Sequence, residues 1–125
     1  MWSRAFCVLA LLGALCFAAW DQLSAGDYTA DPDGVGLDDV TFTVDMQGII
    51  TVTSGTCDGQ QWQMEVQGRN EVYYRGVTGG GGACDNTNQY VVFYAGIPAT
   101  SGTYIVYQDV PSPTTVVQTG IYTRN

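Results

Sequence analysis

The sequence predicts an all-β protein, a single small β-sandwich or barrel of about seven antiparallel strands. Short runs in which apolar and polar residues alternate recur from residue 39 onward, as in strands with one buried face. Clusters of glycine, proline and asparagine separate these runs, and no helical periodicity occurs between them. A length of 125 residues is that of one domain.

The strand-like runs follow one another with a turn signal after each. Gln47-Gly48 and Gly68-Arg69-Asn70 are tight turns that predict two hairpins, and Pro98 and Pro111 lie in later loops. The predicted strands are residues 40–46, 49–53, 61–67, 71–77, 90–95, 103–109 and 115–123. The predicted core comprises Val40, Phe42, Val44, Ile50, Val52, Trp62, Met64, Val66, Val91, Phe93, Ile105 and Val117.

Residues 1–19 have the layout of a secretory signal peptide. A short basic start ending at Arg4 precedes an unbroken apolar run, and the first acid, Asp21, lies just beyond that run. The run is too short to span a bilayer comfortably, which favours a signal cleaved within 16–20 over a retained anchor. We therefore expect a secreted, extracellular protein, with a periplasmic or cell-surface location as the variants.

The segment before the first predicted strand has a different composition. Residues 20–38 are rich in aspartate, glycine and alanine and lack periodicity. They are predicted to form an acidic flexible lead, which leaves residues 39–125 as the all-β domain.

Cysteine use predicts one disulfide. Two of the four cysteines lie in the predicted signal peptide, and Cys57 and Cys84 remain as an even pair in an oxidising compartment. Closing a loop of this length stabilises a domain by about 3–4 kcal/mol.

Charge and composition exclude several functions. The chain has 12 acidic and 4 basic residues, a net charge of −8, and neither histidine nor lysine. Nucleic acids and anionic membrane surfaces would repel it. Without histidine or lysine there is no Ser-His or Cys-His dyad and no lysine base, so we expect a protein that is not an enzyme.

One short segment resembles known calcium-binding loops. Residues 31–39, DPDGVGLDD, resemble the DxDG-type loops of dockerin-like and thrombospondin-like repeats. The resemblance implies Asp31, Asp33, Asp38 and Asp39 as Ca²⁺ ligands, and no other cofactor is expected. In the register of an EF-hand loop that starts at Asp31, Val35 occupies a ligand position and Phe42 stands where the loop has a bidentate glutamate. A turn-rich linker is therefore the alternative.

Tyrosines supply the main functional lead. Tyr73 and Tyr74 are adjacent on one predicted strand, so they face opposite sides of the sheet, while Tyr90 and Tyr94 share one face of another. Exposed tyrosines favour protein and sugar contacts, although tyrosine is also a routine strand residue. We expect a binding or assembly module that recognises a glycan or protein partner through Tyr73, Tyr74, Tyr90, Tyr94 and nearby loops. An acidic, calcium-dependent matrix protein that uses residues 31–39 is the alternative.

Overall fold

The computed structural model describes residues 23–67, 71–95, 100–108 and 115–125, so the predicted signal peptide lies outside the described residues. The described residues contain eight β-strands and no helix, and therefore no helix able to cross a membrane. The strands are β1 (Gly26–Pro32), β2 (Val40–Val44), β3 (Ile49–Val52), β4 (Gln61–Gln67), β5 (Glu71–Gly76), β6 (Gln89–Ala95), β7 (Ser101–Gln108) and β8 (Thr115–Arg124).

The strands form a closed up-and-down barrel. Each strand pairs antiparallel with the next along the chain, and β8 returns to pair with β1. In this closing pair Thr29 lies opposite Thr123 and Ala30 lies opposite Tyr122. The all-β prediction is confirmed, and closure leaves no unpaired sheet edge.

The prediction that residues 20–38 form a flexible lead is corrected for the part of them that forms β1. Residues 26–32 form a full barrel strand between β2 and β8, which raises the number of strands to eight. Tyr28 and Ala30 are buried and form the inward face of this strand. The acidic and glycine-rich composition of the segment gave no sign of that face. Tyr28 is completely buried, so this segment belongs to the folded domain.

Alternation along each strand divides the side chains between the interior and the outer surface. Seven of the predicted core residues are buried, while Val40 and Met64 are half-buried. Two predictions are wrong. Ile105 lies on the outer face of β7, because Tyr104 and Val106 occupy the inner face, and Val117 is 49 % exposed beside a bulge in the β7–β8 pairing. The structure does not describe the side chain of Val66.

Tyrosine and phenylalanine rings fill one half of the barrel interior. Tyr28, Tyr74 and Tyr122 are the largest fully buried side chains in the described residues. Phe93 meets Tyr74 and Tyr122 edge to face, with ring centroids 5.5 and 5.1 Å apart, and Tyr28 stacks on Phe42 at 5.2 Å. Such pairs add stability beyond their area burial.

The opposite end of the barrel, here called the mouth, carries long loops. Residues 33–39, 53–60 and 77–88 connect strands at this end. The predicted disulfide is confirmed: Cys57 and Cys84 are bonded with their Cα atoms 5.4 Å apart. The bond therefore ties the loop after β3 to the loop after β5, at the rim of the mouth.

Candidate functional site

A cavity of about 280 Å³ lies inside the mouth of the barrel. Phe42 and Phe93 line it and contact the packed tyrosines Tyr28 and Tyr122, so they form its floor. Its walls carry small apolar side chains from five strands: Ala30, Val40, Val52, Val91 and Val106. Small residues at the mouth and aromatic residues below them leave this space within the barrel.

Tyr104 places a buried hydroxyl group in the cavity wall. Its side chain is 7 % exposed, and among the described residues its hydroxyl makes no hydrogen bond. Burial, with contributions from the carboxylates of Asp33, Asp31 and Asp39, raises the pKa of Tyr104 to about 12. The hydroxyl therefore remains protonated at neutral pH, and it can donate or accept a hydrogen bond with a ligand.

Gly120 determines where the Tyr104 ring lies. The two residues are cross-strand partners in β7 and β8, and Gly120 pairs on its other side with Pro32 of β1. A Cβ at Gly120 would lie 2.7 Å from two ring atoms of Tyr104 and 2.5 Å from the Asp31 carbonyl oxygen. The ring therefore crosses β8 at the only residue type that leaves room for it, with its hydroxyl directed towards β1.

Gln60 and Trp62 fix the cavity wall to the disulfide. The Gln60 side chain donates to the Cys84 carbonyl at 2.9 Å, and its Oε1 accepts a bond from the Trp62 indole at 3.2 Å. Trp62 is 7 % exposed, and both side chains line the cavity. The disulfide therefore holds the rim through Gln60 as well as through its own covalent bond.

Asn86 anchors the loop that carries Cys84. Its side chain is completely buried, accepts a bond from the Thr78 amide at 2.7 Å and donates to the Gln61 carbonyl at 2.9 Å. It packs against Gly76, where any side chain would collide with it. A buried amide that both donates and accepts in this way gives a loop one defined position.

The predicted calcium ligands are exposed and dispersed at the rim. Asp31 is on β1, Asp33 accepts a bond from the Thr119 hydroxyl at 2.6 Å, and Asp38 and Asp39 lie in the loop before β2. In the part of the chain that the structure describes, no three acidic, cysteine or histidine side chains are placed to hold one metal ion. The geometry supplies no coordinating set for the calcium prediction.

The four predicted binding tyrosines do not all lie on the outer surface of the barrel. Tyr73, Tyr90 and Tyr94 are half-buried on the outside of β5 and β6, as expected for a surface. Tyr74 is corrected: it faces the interior with 1 % exposure and packs edge to face on Phe93. Inward residues of β5 are Val72, Tyr74 and Gly76, and the period of two directs Tyr73 outward.

The outer rings form a continuous group, the tyrosine surface, made by Tyr73, Tyr90, Tyr94 and Tyr107. Tyr90 stacks on Tyr73 at 5.9 Å and on Tyr107 at 5.0 Å, across three adjacent strands. The guanidinium of Arg75 lies 5.5 Å from the centre of the Tyr90 ring. Val92, directly between Tyr90 and Tyr94 on β6, is only 1 % exposed, which indicates that the rings cover it.

Sequence reasoning missed the cavity and two of its polar residues, Tyr104 and Gln60. Tyr104 lies two residues before Val106 on β7, so both side chains are on the same face of the strand. This spacing was the available signal that Tyr104 faces the interior. The cavity wall is built from small apolar residues near the mouth ends of several strands. No local pattern shows that those ends meet at one level of a barrel.

Comparisons with protein-family models, with curated proteins and with solved structures gave no match to this chain.

Proposed function

We propose that this protein is a non-enzymatic binding protein that holds one small, mainly apolar ligand in the mouth of its barrel. The observation that carries the proposal is the 280 Å³ cavity with mainly apolar walls, into which the Tyr104 hydroxyl brings a buried polar group that makes no hydrogen bond within the described residues. Eight-stranded barrels either fill their interior with side chains or leave room for one small ligand. This barrel does the first in one half and the second in the other.

The energetics of packing support the interpretation of this cavity as a binding site and not as a packing defect. Protein interiors are close-packed, and voids larger than a water molecule are few. Replacing a wall valine with a larger apolar residue would remove space, yet Val40, Val52, Val91 and Val106 all leave it open. The disulfide, Gln60 and Asn86 then hold the rim around that space. A preformed pocket of this kind reduces the ordering cost of binding.

The volume of the cavity limits the size of the ligand. An apolar cavity of about 150 Å³ accommodates benzene. The cavity here is 280 Å³, so the expected ligand has the size of two fused rings or of a short acyl chain. One polar atom on the ligand would satisfy the Tyr104 hydroxyl.

The test uses a neutral bicyclic probe, 1-naphthalenemethanol, in isothermal titration calorimetry and thermal melting. Binding is expected with one site and a rise in melting temperature with probe concentration. Val91→Phe, in the wall, should fill the cavity and remove binding. Val116→Phe makes the same change on a side chain that is 53 % exposed on β8 and should bind normally. Equal binding by both variants, or no binding by the unmodified protein, would refute the proposal.

The tyrosine surface supports a second function, recognition of a protein or glycan partner. The specific observation is the stack of three rings with Arg75 against Tyr90, a rigid group of amphipathic side chains at little ordering cost. Tyr90→Ala removes the centre of the stack and should reduce retention on neutral polysaccharide gels or on a partner. Thr123→Ala, which changes an exposed side chain on β8 that pairs with none of these tyrosines, is the control. Unchanged retention would contradict this role.

We also infer that the protein works outside the reducing cytosol. The Cys57–Cys84 disulfide supports this location, because such bonds persist in oxidising compartments. The signal-like residues 1–19 favour secretion. Detection of the processed chain in the culture medium of a secreting host tests the inference, and a fully retained, unprocessed chain would contradict it.

A further inference from the structure

Among the described residues, three side chains with a hydroxyl or amide group line the cavity: Gln60, Tyr104 and Gln118. Gln60 is hydrogen-bonded through both ends of its amide, since it donates to the Cys84 carbonyl and accepts from the Trp62 indole. Tyr104 and Gln118 each retain a polar atom for which the described residues offer no hydrogen-bond partner. These two side chains therefore gain most from a ligand that forms hydrogen bonds.

The amide of Gln118 has one fixed orientation. Its Nε2 donates to the Asp33 carbonyl at 3.1 Å and to the Thr119 carbonyl at 2.9 Å. Carbonyl oxygens only accept, so the NH₂ group and not the amide oxygen must face them. Both amide protons are thereby used, and Oε1 is left as an acceptor without a donor in the part of the chain that the structure describes.

Tyr104 and Gln118 are neighbours on the inner face of the barrel at β8. Gln118 lies opposite the inward Val106 of β7, and Gly120 lies opposite Tyr104. The Cζ atom of Tyr104, which carries the hydroxyl, would lie 2.7 Å from a Cβ at Gly120. Gln118 is two residues from Gly120, so the two positions are about 7 Å apart along the same face of the strand. A small ligand group between them is within reach of both side chains.

The two side chains differ in the hydrogen bonds that they offer. The Tyr104 hydroxyl can donate, whereas the amide oxygen of Gln118 can only accept. A ligand hydroxyl serves both through one oxygen atom, since it accepts from Tyr104 and donates to Gln118. A carbonyl, an ether or a carboxylate has no proton to donate, and an ammonium group has no acceptor for the Tyr104 proton. The pair therefore favours a hydroxyl group.

We propose that the ligand of this cavity is a neutral alcohol or phenol, a hydroxyl group on an apolar body about the size of two fused rings. This inference rests on the proposed binding function and adds the chemical class of the ligand. The apolar body packs on Phe42 and Phe93 at the floor of the cavity. The ligand hydroxyl accepts from Tyr104 and donates to Oε1 of Gln118, so these two residues determine the specificity of the site.

Burial makes the contact with Tyr104 the more selective of the two. This side chain is 7 % exposed, so a ligand without an acceptor would seal its hydroxyl away from water with no partner. Gln118 is half-buried, so water can replace the ligand at its oxygen and a missing donor costs less. A site that binds a ligand hydroxyl in this way discriminates against analogues that lack one.

The experiment compares three probes that share one ring system and one size of substituent: 1-naphthalenemethanol, 1-naphthaldehyde and 1-ethylnaphthalene. Titration calorimetry gives the affinity of the protein for each probe. The probes differ in their own affinity for water, so the ratios of their affinities are compared between protein variants, where that difference cancels. If none of the three binds the unmodified protein, the cavity function and the hydroxyl inference both fail.

Two variants remove the two contacts separately. Gln118→Met keeps the length of the side chain and removes the acceptor, so the alcohol-to-aldehyde affinity ratio should fall about threefold while the affinity for the aldehyde stays unchanged. Tyr104→Phe removes the donor, so the alcohol and the aldehyde should both weaken about fivefold relative to the hydrocarbon. Continued binding of 1-ethylnaphthalene shows that each variant retains the cavity.

The control variant, Gln47→Met, makes the same change on an exposed glutamine in the turn between β2 and β3, at the opposite end of the barrel. It should leave every ratio as in the unmodified protein. If the probes bind but neither Gln118→Met nor Tyr104→Phe changes a ratio, the hydroxyl inference is wrong while the cavity function stands. Equal changes in Gln118→Met and Gln47→Met would overturn the assignment of Gln118.

Discussion

The ring of Tyr104 lies across Gly120 of the neighbouring strand, where a Cβ would come within 2.7 Å of two ring atoms. This contact connects the fold to the site, because it places a buried, unpaired hydroxyl in the cavity wall beside β1. An aromatic ring over a cross-strand glycine also covers backbone that would otherwise lack a side chain.

Gly120→Ala tests this contact. The added methyl group collides with Tyr104 and with the Asp31 carbonyl, and β8 is held on both sides, so we expect a loss of about 1–3 kcal/mol in the free energy of unfolding. Urea denaturation measures the change. Gly79→Ala is the matched control, since no atom lies within 4 Å of its Cβ position. A Gly120→Ala protein as stable as the Gly79→Ala protein would show that the ring moves away without cost.

Removal of the Tyr104 hydroxyl and removal of the Tyr28 hydroxyl should have opposite effects on the stability of the protein. Tyr104→Phe deletes a buried hydroxyl without a partner, so stability should stay the same or rise, while probe affinity should fall several-fold. Tyr28→Phe deletes a hydroxyl that donates to the Ser24 carbonyl at 2.6 Å and should cost about 1 kcal/mol. Paired urea denaturation and calorimetry experiments measure both quantities. A Tyr104→Phe protein that is the less stable of the two would indicate a hydrogen-bonded hydroxyl.

The disulfide should contribute to stability and to the shape of the rim. The bonded cysteines are 27 residues apart, which corresponds to about 3.5 kcal/mol of loop-closure entropy. Cys57→Ala combined with Cys84→Ala should lower the free energy of unfolding by about this amount and weaken probe binding, because Gln60 bonds the Cys84 carbonyl. Gln60→Ala with the disulfide intact separates the two contributions. A double variant with unchanged stability and affinity would contradict this role.

Alkaline pH should unfold the barrel through its buried tyrosines. Burial raises the pKa of both Tyr28 and Tyr104 from 10.0 to about 12, and it raises the pKa of Tyr74 and Tyr122 as well. The unfolded chain releases these protons near pH ~10 while the folded chain retains them. The contribution of Tyr28 and Tyr104 to stability is therefore complete below pH 10 and is lost as pH rises from about 10 to 12, and the contribution of Tyr74 and Tyr122 continues to fall at higher pH.

Urea denaturation at increasing pH, combined with tyrosinate absorbance, measures this loss. The free energy of unfolding should be constant up to about pH 10 with respect to these groups and then decline. Tyr28→Phe removes one of them, so its decline should be shallower. A flat profile through pH 11.5, with tyrosinate already formed, would show that these hydroxyls ionise inside the folded barrel.

Local pattern was sufficient for the strands that have one apolar and one polar face. Phe42, Val44 and Trp62 alternate with polar neighbours, and all three are buried as predicted. On strands with apolar residues on both faces, alternation shows only that neighbours face opposite ways. On β5, by contrast, the charged Glu71 and Arg75 share the face of Tyr73, and this was the available signal that Tyr74 is the inward ring.

The all-β class, most strand positions and the pairing of Cys57 with Cys84 were predictable without a structure, because they follow from periodicity, turn residues and cysteine number. The tertiary structure decided the role of residues 26–32, the closure of β8 on β1 and the existence of the cavity. These depend on contacts between distant parts of the chain, such as Tyr104 with Gly120 and Gln60 with Cys84. Period-two alternation assigns a side chain to a face, but only closure of the barrel decides which side chains meet inside it.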